Sequence, residues 1–170
     1  GVITIPEAPR AGLVLISGSG PQDRDGNIAG HPVYAAIADA LAEAGMASLR
    51  YDDRGVGGSD APAPLAPAEL ADDALRALDV LKAQTGLSCV GYLGHSEGGY
   101  LALLAANESD ADFVISLAGQ HQDMETLLYD QSEALIRASG QGDAAVEANR
   151  VRQRAVFEAI ANAAPGEAPA

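Results

Sequence analysis

Residues 89–100, CVGYLGHSEGGY, give the strongest indication of how this chain folds. The first half of this stretch is an apolar segment of strand length. Its second half contains Gly-x-Ser-x-Gly, in which Gly94 and Gly98 lie two positions before and two positions after Ser96. Between a strand and a helix, this pattern predicts a nucleophile elbow, a turn so tight that the two flanking positions must lack side chains. The sequence therefore predicts a serine exposed at the N-terminus of a helix.

Outward from this stretch, predicted strands alternate with predicted helices. Apolar runs predict strands over residues 13–16, 46–51, 89–93 and 113–117, and helices follow Pro32, Pro67 and Ser96. This alternation favours an α/β fold with three layers, in which helices cover both faces of a mainly parallel sheet. The helical spacing predicts three sets of inward residues: Val33, Ile37 and Leu41; Leu70, Ala74, Leu78 and Leu81; and Leu101, Leu104 and Ala105.

The pattern changes after Gln120. Two consecutive helices are predicted over about 122–138 and 143–163, and the residues from 164 to 170 have the composition of a flexible tail. We therefore divide the chain into an α/β core of residues 1–120, a helical lid or cap of residues 121–163, and a tail of residues 164–170. Periodicity does not separate a lid from a plain helical cap.

Composition narrows the class of protein. The chain has 170 residues, 48% of them hydrophobic, and a net charge of −14, so it is globular, and nucleic acid and anionic membranes are disfavoured as partners. No apolar run approaches the roughly 18 residues of a membrane span. Cys89, the single cysteine, is predicted to be a buried, inert thiol. The compartment stays open, with the cytoplasm favoured over secretion or the periplasm.

Acyl transfer by a serine requires a nucleophile, a base, an orienting acid and an oxyanion hole. Ser96 is the candidate nucleophile, and the alternative is that it only caps the following helix. The backbone N–H of Glu97 is the first candidate oxyanion donor. The second donor is expected from the loop after the first strand, where we choose the N–H of Ser19, with Gly20 as the alternative.

Two other glycine-rich segments do not match cofactor motifs. Residues 18–23 lack the third glycine of Gly-x-Gly-x-x-Gly, and residues 55–59 lack the lysine of a P-loop. We therefore predict no cofactor. Asp52 and Asp53 are predicted to belong to a structural loop held by ion pairs and backbone hydrogen bonds. The polar stretch 22–26 either lines the substrate entrance or fixes the neighbouring loop, and both interpretations stay open.

None of the three histidines is a good candidate for the base. His95 is adjacent to Ser96, and a tight turn points adjacent side chains apart. His31 precedes Pro32 and is expected to cap a helix or to pack in a loop. His121 follows the last predicted strand and is the remaining, disfavoured alternative. The histidines have no metal-ligand spacing, so we predict no metal site.

Residues 15–25, 49–59, 94–99 and 115–119 together resemble the α/β-hydrolase superfamily, in particular a bacterial branch of serine esterases related to feruloyl/cinnamoyl esterases, dienelactone hydrolases and serine aminopeptidases. The resemblance implies that the first predicted strand lies between the second and the third, which places Ser19 beside Ser96, with the fourth outside the third. It also implies a helical lid after the last strand. The implied activity is hydrolysis of a small carboxylic ester through an acyl-enzyme on Ser96.

In this family the triad acid and histidine follow the serine, on loops after two later strands. Residues 97–170 contain no such segments, so we expect the triad acid and histidine to lie outside this chain, which resembles the N-terminal part of a larger hydrolase. We expect the isolated segment to hydrolyse activated esters very poorly. Association through the unpaired sheet edge, or with a C-terminal half, is also expected. The alternatives are a peptidase or aminopeptidase of the same fold, and an inactive hydrolase-like fragment or binding module.

Overall fold

The computed structural model describes residues 1–60 and 66–163. In these residues seven strands and five helices follow one another along the chain. The strands are β1 (Val2–Thr4), β2 (Ala11–Ile16), β3 (Asn27–Ile28), β4 (His31–Pro32), β5 (Met46–Arg50), β6 (Val90–His95) and β7 (Phe113–Leu117). The helices are α1 (Val33–Glu43), α2 (Pro67–Thr85), α3 (Glu97–Asn107), α4 (Met124–Ala138) and α5 (Asp143–Asn162).

Five of the strands form one sheet in the order β1-β5-β2-β6-β7. β2 is parallel to both β5 and β6, and β7 is parallel to β6, whereas β1 is antiparallel to β5. The α/β fold with a mainly parallel sheet is therefore confirmed. The implied strand order is confirmed too, because β2, the first of the four predicted strands, lies between β5 and β6.

Helices cover both faces of this sheet, and β2 shows why its apolar run is continuous. Leu13 and Leu15 pack with α1 on one face. Val14 and Ile16 point to the other face, where α2 and α3 supply the rest of the core. A strand buried on both faces needs apolar residues at successive positions, and these four residues are buried.

The buried faces of α2 and α3 are those predicted from helical spacing. Ala74, Leu78 and Leu81 of α2 are buried, as are Leu101 and Ala105 of α3, while Leu70 and Leu104 are half-buried. α2 begins at Pro67, as predicted. The Glu69 carboxylate accepts a 2.9 Å hydrogen bond from the N–H of Ala66, and Gly86 ends the helix with a left-handed φ of 66°.

The predicted inward face of α1 is confirmed in part. Ile37 and Leu41 are half-buried and pack against the core, and Val33 is half-buried, but the fully buried positions, Tyr34 and Ala38, were not predicted. The Tyr34 ring packs over Gly26: a methyl group placed on that glycine would lie 2.0 Å from the ring. The helix therefore presents an aromatic side chain, with its hydroxyl, to the end of β2.

Three further details differ from the predictions. Cys89 is exposed, because β6 begins one residue later at Val90, so the expectation of a buried thiol was wrong. β1 was not predicted, and neither was the small antiparallel pair formed by β3 and β4 between the polar stretch 22–26 and α1. Strands of two or three residues are too short to show a period of alternation.

The chain divides into two compact units, residues 1–120 and 121–170. In the second unit, which is described up to residue 163, α4 and α5 pack against each other through Tyr129 and Phe157, whose ring centroids lie 5.6 Å apart in an edge-to-face arrangement. Asp123 caps α4 by accepting a 2.9 Å hydrogen bond from the N–H of Thr126. The predicted tail, residues 164–170, lies outside the described residues. Among the described helices, none combines the length and the apolar character needed to span a membrane.

β7 lies at the edge of the sheet as described. It pairs with β6, and no second neighbour is found within residues 1–60 and 66–163. Two of its apolar side chains, Ile115 and Leu117, are 37% and 39% exposed. Association through this edge remains a prediction.

Candidate active site

Three loops meet where β5, β2 and β6 end. Because the three strands are parallel neighbours, their carboxyl ends lie at the same edge of the sheet. The loop after β2 begins at Ser17, the loop after β5 contains Asp52 and Asp53, and β6 leads directly into Ser96 and α3. The chain reverses its direction of winding at β2, which is the position where open α/β sheets bind ligands.

Ser96 occupies a strained turn between β6 and α3. Its φ of 54° and ψ of −121° are unusual for a residue with a side chain, a conformation that costs about 1–3 kcal/mol and is retained where the surroundings enforce it. The N–H of Ser96 donates to the carbonyl of Leu117 at 2.9 Å, and its own carbonyl accepts from Gly99 at 2.9 Å. The side chain makes no capping bond to α3, which disfavours the interpretation of Ser96 as a helix cap.

The glycines around Ser96 leave no room for a side chain. A methyl group placed on Gly94 would lie 1.9 Å from the carbonyl oxygen of Gly98. One placed on Gly98 would lie 2.3 Å from the carbonyl oxygen of Ser17. Gly99, to which the sequence analysis assigned no role, is as constrained, because its methyl group would lie 2.8 Å from the Cα of Gly119. The backbone segments around the turn therefore approach one another so closely that only glycine fits at these three positions.

The loop after β2 lies against the elbow. A methyl group placed on Gly18 would lie 3.5 Å from the Cβ of Ser96. The N–H of Gly18 donates to the Tyr34 hydroxyl at 3.1 Å, so this amide is already engaged. Tyr34 was not identified by sequence analysis, because only its position in the first turn of α1 brings its hydroxyl to the loop.

The candidate oxyanion donors are backbone amides of the loop and of the elbow. Glu97 is the first residue of α3, so its N–H has no partner within the helix. In the described part of the chain, the N–H groups of Ser19 and Gly20 make no backbone or side-chain hydrogen bond. Ser19 is exposed.

A cavity of about 200 Å³ opens between these loops. Gly18 and Gly20 line it from the loop after β2, Glu97 lines it from α3, and Tyr51, Asp53 and Arg54 line it from the end of β5. Gly20 borders the cavity and Ser19 does not, which favours the N–H of Gly20, the alternative choice, as the second oxyanion donor. Burial raises the pKa of the Tyr51 phenol, so this side chain is neutral over the physiological range.

Asp52 is a structural carboxylate, as predicted. It is 4% exposed and accepts hydrogen bonds from the N–H of Arg24 at 2.9 Å, from Nε of Arg24 at 2.9 Å and from the N–H of Gly58 at 3.0 Å. The bonds from the Arg24 guanidinium hold the pKa of this carboxyl well below its usual range.

Asp53 points the other way, into the cavity. It accepts hydrogen bonds from the Ser17 hydroxyl, which lies 3.0 Å from each carboxylate oxygen, and from the N–H of Gln22 at 2.8 Å. Burial raises the pKa of this carboxyl, although the bonds from Gln22 and Ser17 oppose the shift. The two neighbouring aspartates thus have opposite surroundings.

The polar stretch 22–26 fixes its own loop. Asp23 accepts hydrogen bonds from the N–H groups of Asp25 and Gly26 at 3.0 and 2.8 Å. Asp25 forms an ion pair with Arg50 at 2.9 Å. These contacts favour loop fixation over lining of the substrate entrance. None of residues 23–26 borders the cavity.

None of the three histidines borders the cavity, although a methyl group placed on Gly18 would lie 3.4 Å from Nδ1 of His95. His31 lies exposed in β4 and does not cap a helix, and His95 is exposed at the end of β6. His121 begins the second unit. Within residues 1–60 and 66–163, no three side chains of histidine, cysteine, aspartate or glutamate are grouped so that they could hold a metal ion.

Comparison with known proteins places this geometry in a family. Residues 26–135 match the model of the family described as serine aminopeptidase, S33. Esterase EstD of Thermotoga maritima is 36% identical over 138 residues, which cover 79% of this chain and 34% of that protein.

Two solved structures illustrate the fold. The α/β hydrolase GrgF from Penicillium sp. sh18 superposes with a TM-score of 0.61 at 20% identity, covering 81% of this chain and 48% of that one. XC6422 from Xanthomonas campestris, described as an α/β serine hydrolase without a lid, has a TM-score of 0.53 at 27% identity, covering 67% of this chain and 52% of that one.

The chain spans about a third of the length of the curated relative that it matches and about half of these two structures. The family match nonetheless extends over more than half of this chain and includes β5, β6, the elbow and β7. On these grounds the chain belongs to the serine aminopeptidase S33 family of the α/β-hydrolase superfamily.

Proposed function

We propose that this chain supplies the nucleophile and the oxyanion hole of a serine hydrolase that cleaves small carboxylic esters. The observation that carries the proposal is the strained conformation of Ser96, with φ of 54°, between glycines that admit no side chain. A serine that serves only packing or capping has no need of such a turn. Strain of this kind concentrates at functional sites.

The chemistry follows from Ser96, which directly precedes the cavity-lining residue Glu97, and from the neighbouring backbone amides. The Ser96 Oγ forms a bond to the ester carbonyl carbon, and its proton passes to a base. The N–H groups of Glu97 and Ser19, or Gly20 in place of Ser19, donate to the oxygen that becomes negative. The alcohol leaves with the proton, and water then attacks the acyl-enzyme to release the acid and to restore the serine.

We place the base and its orienting acid outside this chain, on later loops of the protein. The lengths of the relatives support this placement, because the matched part of the chain covers only 34% of esterase EstD and 48% of the GrgF structure. The chain by itself is then expected to turn over activated esters very poorly. We propose that α4 and α5 form the lid or cap segment of the protein.

A peptidase or aminopeptidase is the second candidate, and the description of the matched family favours it. The two activities share the nucleophile and the oxyanion hole. They differ in the leaving group, because an amine must be protonated as it departs, whereas an activated alcohol leaves without help. Ester and amide substrates with the same acyl group therefore separate the candidates.

The test uses the full-length protein, with hydrolysis of p-nitrophenyl acetate and of an aminoacyl p-nitroanilide measured for the wild type and for Ser96→Ala. Ester turnover should fall by at least about 10³-fold in the variant, since the residual rate comes from the oxyanion hole and binding alone. A fluorophosphonate probe should add one adduct to Ser96 of the wild type.

Ser88→Ala is the matched control, because Ser88 is exposed at the opposite end of β6. It should leave both turnover and labelling unchanged. Full ester turnover in Ser96→Ala would refute the proposal. A wild type that folds but neither labels nor hydrolyses either substrate would instead favour a binding module on a hydrolase scaffold.

A further inference from the structure

The loop that carries the second oxyanion donor is held at both ends by one residue, Asp53, from the loop after β5. Ser17 begins the loop and donates its hydroxyl to the Asp53 carboxylate at 3.0 Å. Gln22 ends it and donates its N–H to the same carboxylate at 2.8 Å. The N–H of Asp53 in turn donates to the carbonyl of Gln22 at 3.0 Å. The candidate donors Ser19 and Gly20 therefore lie between two residues, Ser17 and Gln22, that are both hydrogen-bonded to Asp53.

Tyr34 adds a third fixed point from α1. Its hydroxyl accepts the N–H of Gly18 at 3.1 Å, next to the first fixed point. The rest of the loop is not restrained by regular structure: Gly20 has a φ of 83° and no atom within 4 Å of a methyl group placed on it. The position of the loop amides therefore depends on Asp53, in the loop after β5, and on Tyr34, in α1.

A carboxylate suits this role better than a neutral group. It offers two oxygens that only accept, so it can receive the Ser17 hydroxyl and the Gln22 N–H together. Bonds to a charged acceptor are shorter and about twice as strong as neutral ones, and the partial burial of Asp53 strengthens them further. Asp52, its neighbour, cannot substitute, because Arg24 and Gly58 already occupy its oxygens.

We propose that Asp53 is a positioning residue for the oxyanion hole: its carboxylate holds Ser17 and Gln22 so that the loop amides between them face the carbonyl bound at Ser96. This inference rests on the proposed function and adds a residue to it. An amide that is displaced binds the ground-state carbonyl almost as before but stabilises the oxyanion less. Loss of Asp53 therefore lowers kcat and leaves KM nearly unchanged.

The test measures ester hydrolysis and inhibition by a trifluoromethyl ketone, whose adduct with the serine carries an oxyanion, in full-length Asp53→Ala, Asp53→Asn and Ser17→Ala. Removing a whole oxyanion donor costs about 10²–10³-fold in kcat, so displacing one should cost about 10- to 100-fold in Asp53→Ala. The affinity for the ketone should fall by a similar factor while KM stays within about threefold.

The other two variants keep the proposal falsifiable if Asp53→Ala does not fold. Asp53→Asn keeps one acceptor for Gln22 and should lose less activity than Asp53→Ala. Ser17→Ala removes one of the two fixed points and should lose about 3- to 10-fold in kcat, a part of the effect of a full oxyanion donor. Asp39→Asn is the control, since Asp39 is exposed on α1 and should change neither quantity.

The possible failures are distinct. If Ser96→Ala abolishes turnover but Asp53→Ala and Ser17→Ala keep wild-type kcat and ketone affinity, the positioning role is refuted and the proposed function stands. A fall in melting temperature with unchanged kcat would show a purely structural role and would also refute it. If Ser96→Ala retains full turnover, the proposed function itself fails.

Discussion

The two compact units of this chain are stabilised in different ways. In residues 1–120 the described sheet and helices enclose two clusters of buried side chains, one on each face of the sheet. In residues 121–163 α4 has no buried residue and α5 has one, Val146. Apolar burial therefore stabilises the first unit, whereas a few side-chain pairs stabilise the packing of α4 against α5 in the second unit.

The contacts between α4 and α5 are mostly polar. Arg150 pairs with Glu133 at 2.6 Å, Arg137 pairs with Asp143 at 2.9 Å, and Ser132 donates to the side chain of Gln153 at 3.0 Å. Ion pairs with exposed partners contribute little to stability, because water and salt screen them. We therefore expect the second unit to open more readily than the first, which would suit a lid.

The largest difference in stability between substitutions in the first and the second unit is expected for glycine-to-alanine changes. Gly98→Ala places a methyl group 2.3 Å from the Ser17 carbonyl oxygen, so backbone must move, and we expect a loss of several kcal/mol in the free energy of unfolding. Gly142→Ala, in the second unit, meets nothing within 4 Å and should stay within about 0.5 kcal/mol. Urea unfolding of both variants measures the contrast. Equal midpoints would contradict the steric argument.

The next difference concerns leucines. Leu78 of α2 is 1% exposed, so Leu78→Ala should cost about 2–5 kcal/mol through lost burial and the cavity left behind. Leu135 of α4 is 72% exposed, and Leu135→Ala should change stability by less than about 0.5 kcal/mol. Thermal unfolding monitored by circular dichroism checks both. A large effect at Leu135 would mean that a partner covers this face of α4 in solution.

Carboxylates give a smaller, pH-dependent contrast. Asp52→Asn should destabilise the protein by about 1–3 kcal/mol at neutral pH, because charged hydrogen bonds to Arg24 and Gly58 are weakened. Glu133→Gln should have a smaller effect, since its partners Arg137 and Arg150 are about half exposed.

The sign of the pH dependence follows from the pKa of Asp52, which is lower in the folded protein than in the unfolded chain. The stabilisation is complete above the unfolded pKa of about 3.9 and is lost as the pH falls through the folded value. The difference in melting temperature between the wild type and Asp52→Asn should therefore begin to shrink below about pH 5 and should keep shrinking as the pH falls further. A difference in melting temperature that stays constant down to about pH 2 would contradict a lowered pKa of Asp52 in the folded protein.

The smallest effect is expected within the helix pair. Phe157→Leu removes the edge-to-face contact with Tyr129, which is worth about 0.5–1.5 kcal/mol beyond burial. Amide hydrogen exchange should accelerate in α4 and α5 and stay unchanged in β2 and β6. Acceleration throughout the sheet would show that the two units unfold together.

Much of the site was predictable from residues close together in sequence. Gly94, Ser96 and Gly98 define a turn by their spacing, and the geometry of that turn is local. The helical spacing of α2 was equally informative, because its apolar stripe and its flanking Pro67 and Gly86 agree. The catalytic roles assigned to these residues remain predictions.

Other parts depend on contacts between residues distant in sequence. The burial of Tyr34 in α1 depends on Gly26, which leaves space for its ring, and on Gly18, whose N–H its hydroxyl accepts. The exposure of Cys89 depends on where pairing between β6 and its neighbours begins. Helical spacing and composition predict neither feature, because both depend on residues that are distant in the sequence.

The sequence by itself determined the alternation of strands and helices, the continuous apolar run of a doubly covered strand and the tight turn at Ser96, because burial patterns and backbone sterics act on neighbouring residues. The different partners of Asp52 and Asp53 follow only from the tertiary structure. Because β2 lies between β5 and β6, Ser17 and Gln22 reach the Asp53 carboxylate. Arg24 and Gly58 reach the Asp52 carboxylate. Long-range strand order, and not local preference, determines which partners a side chain meets.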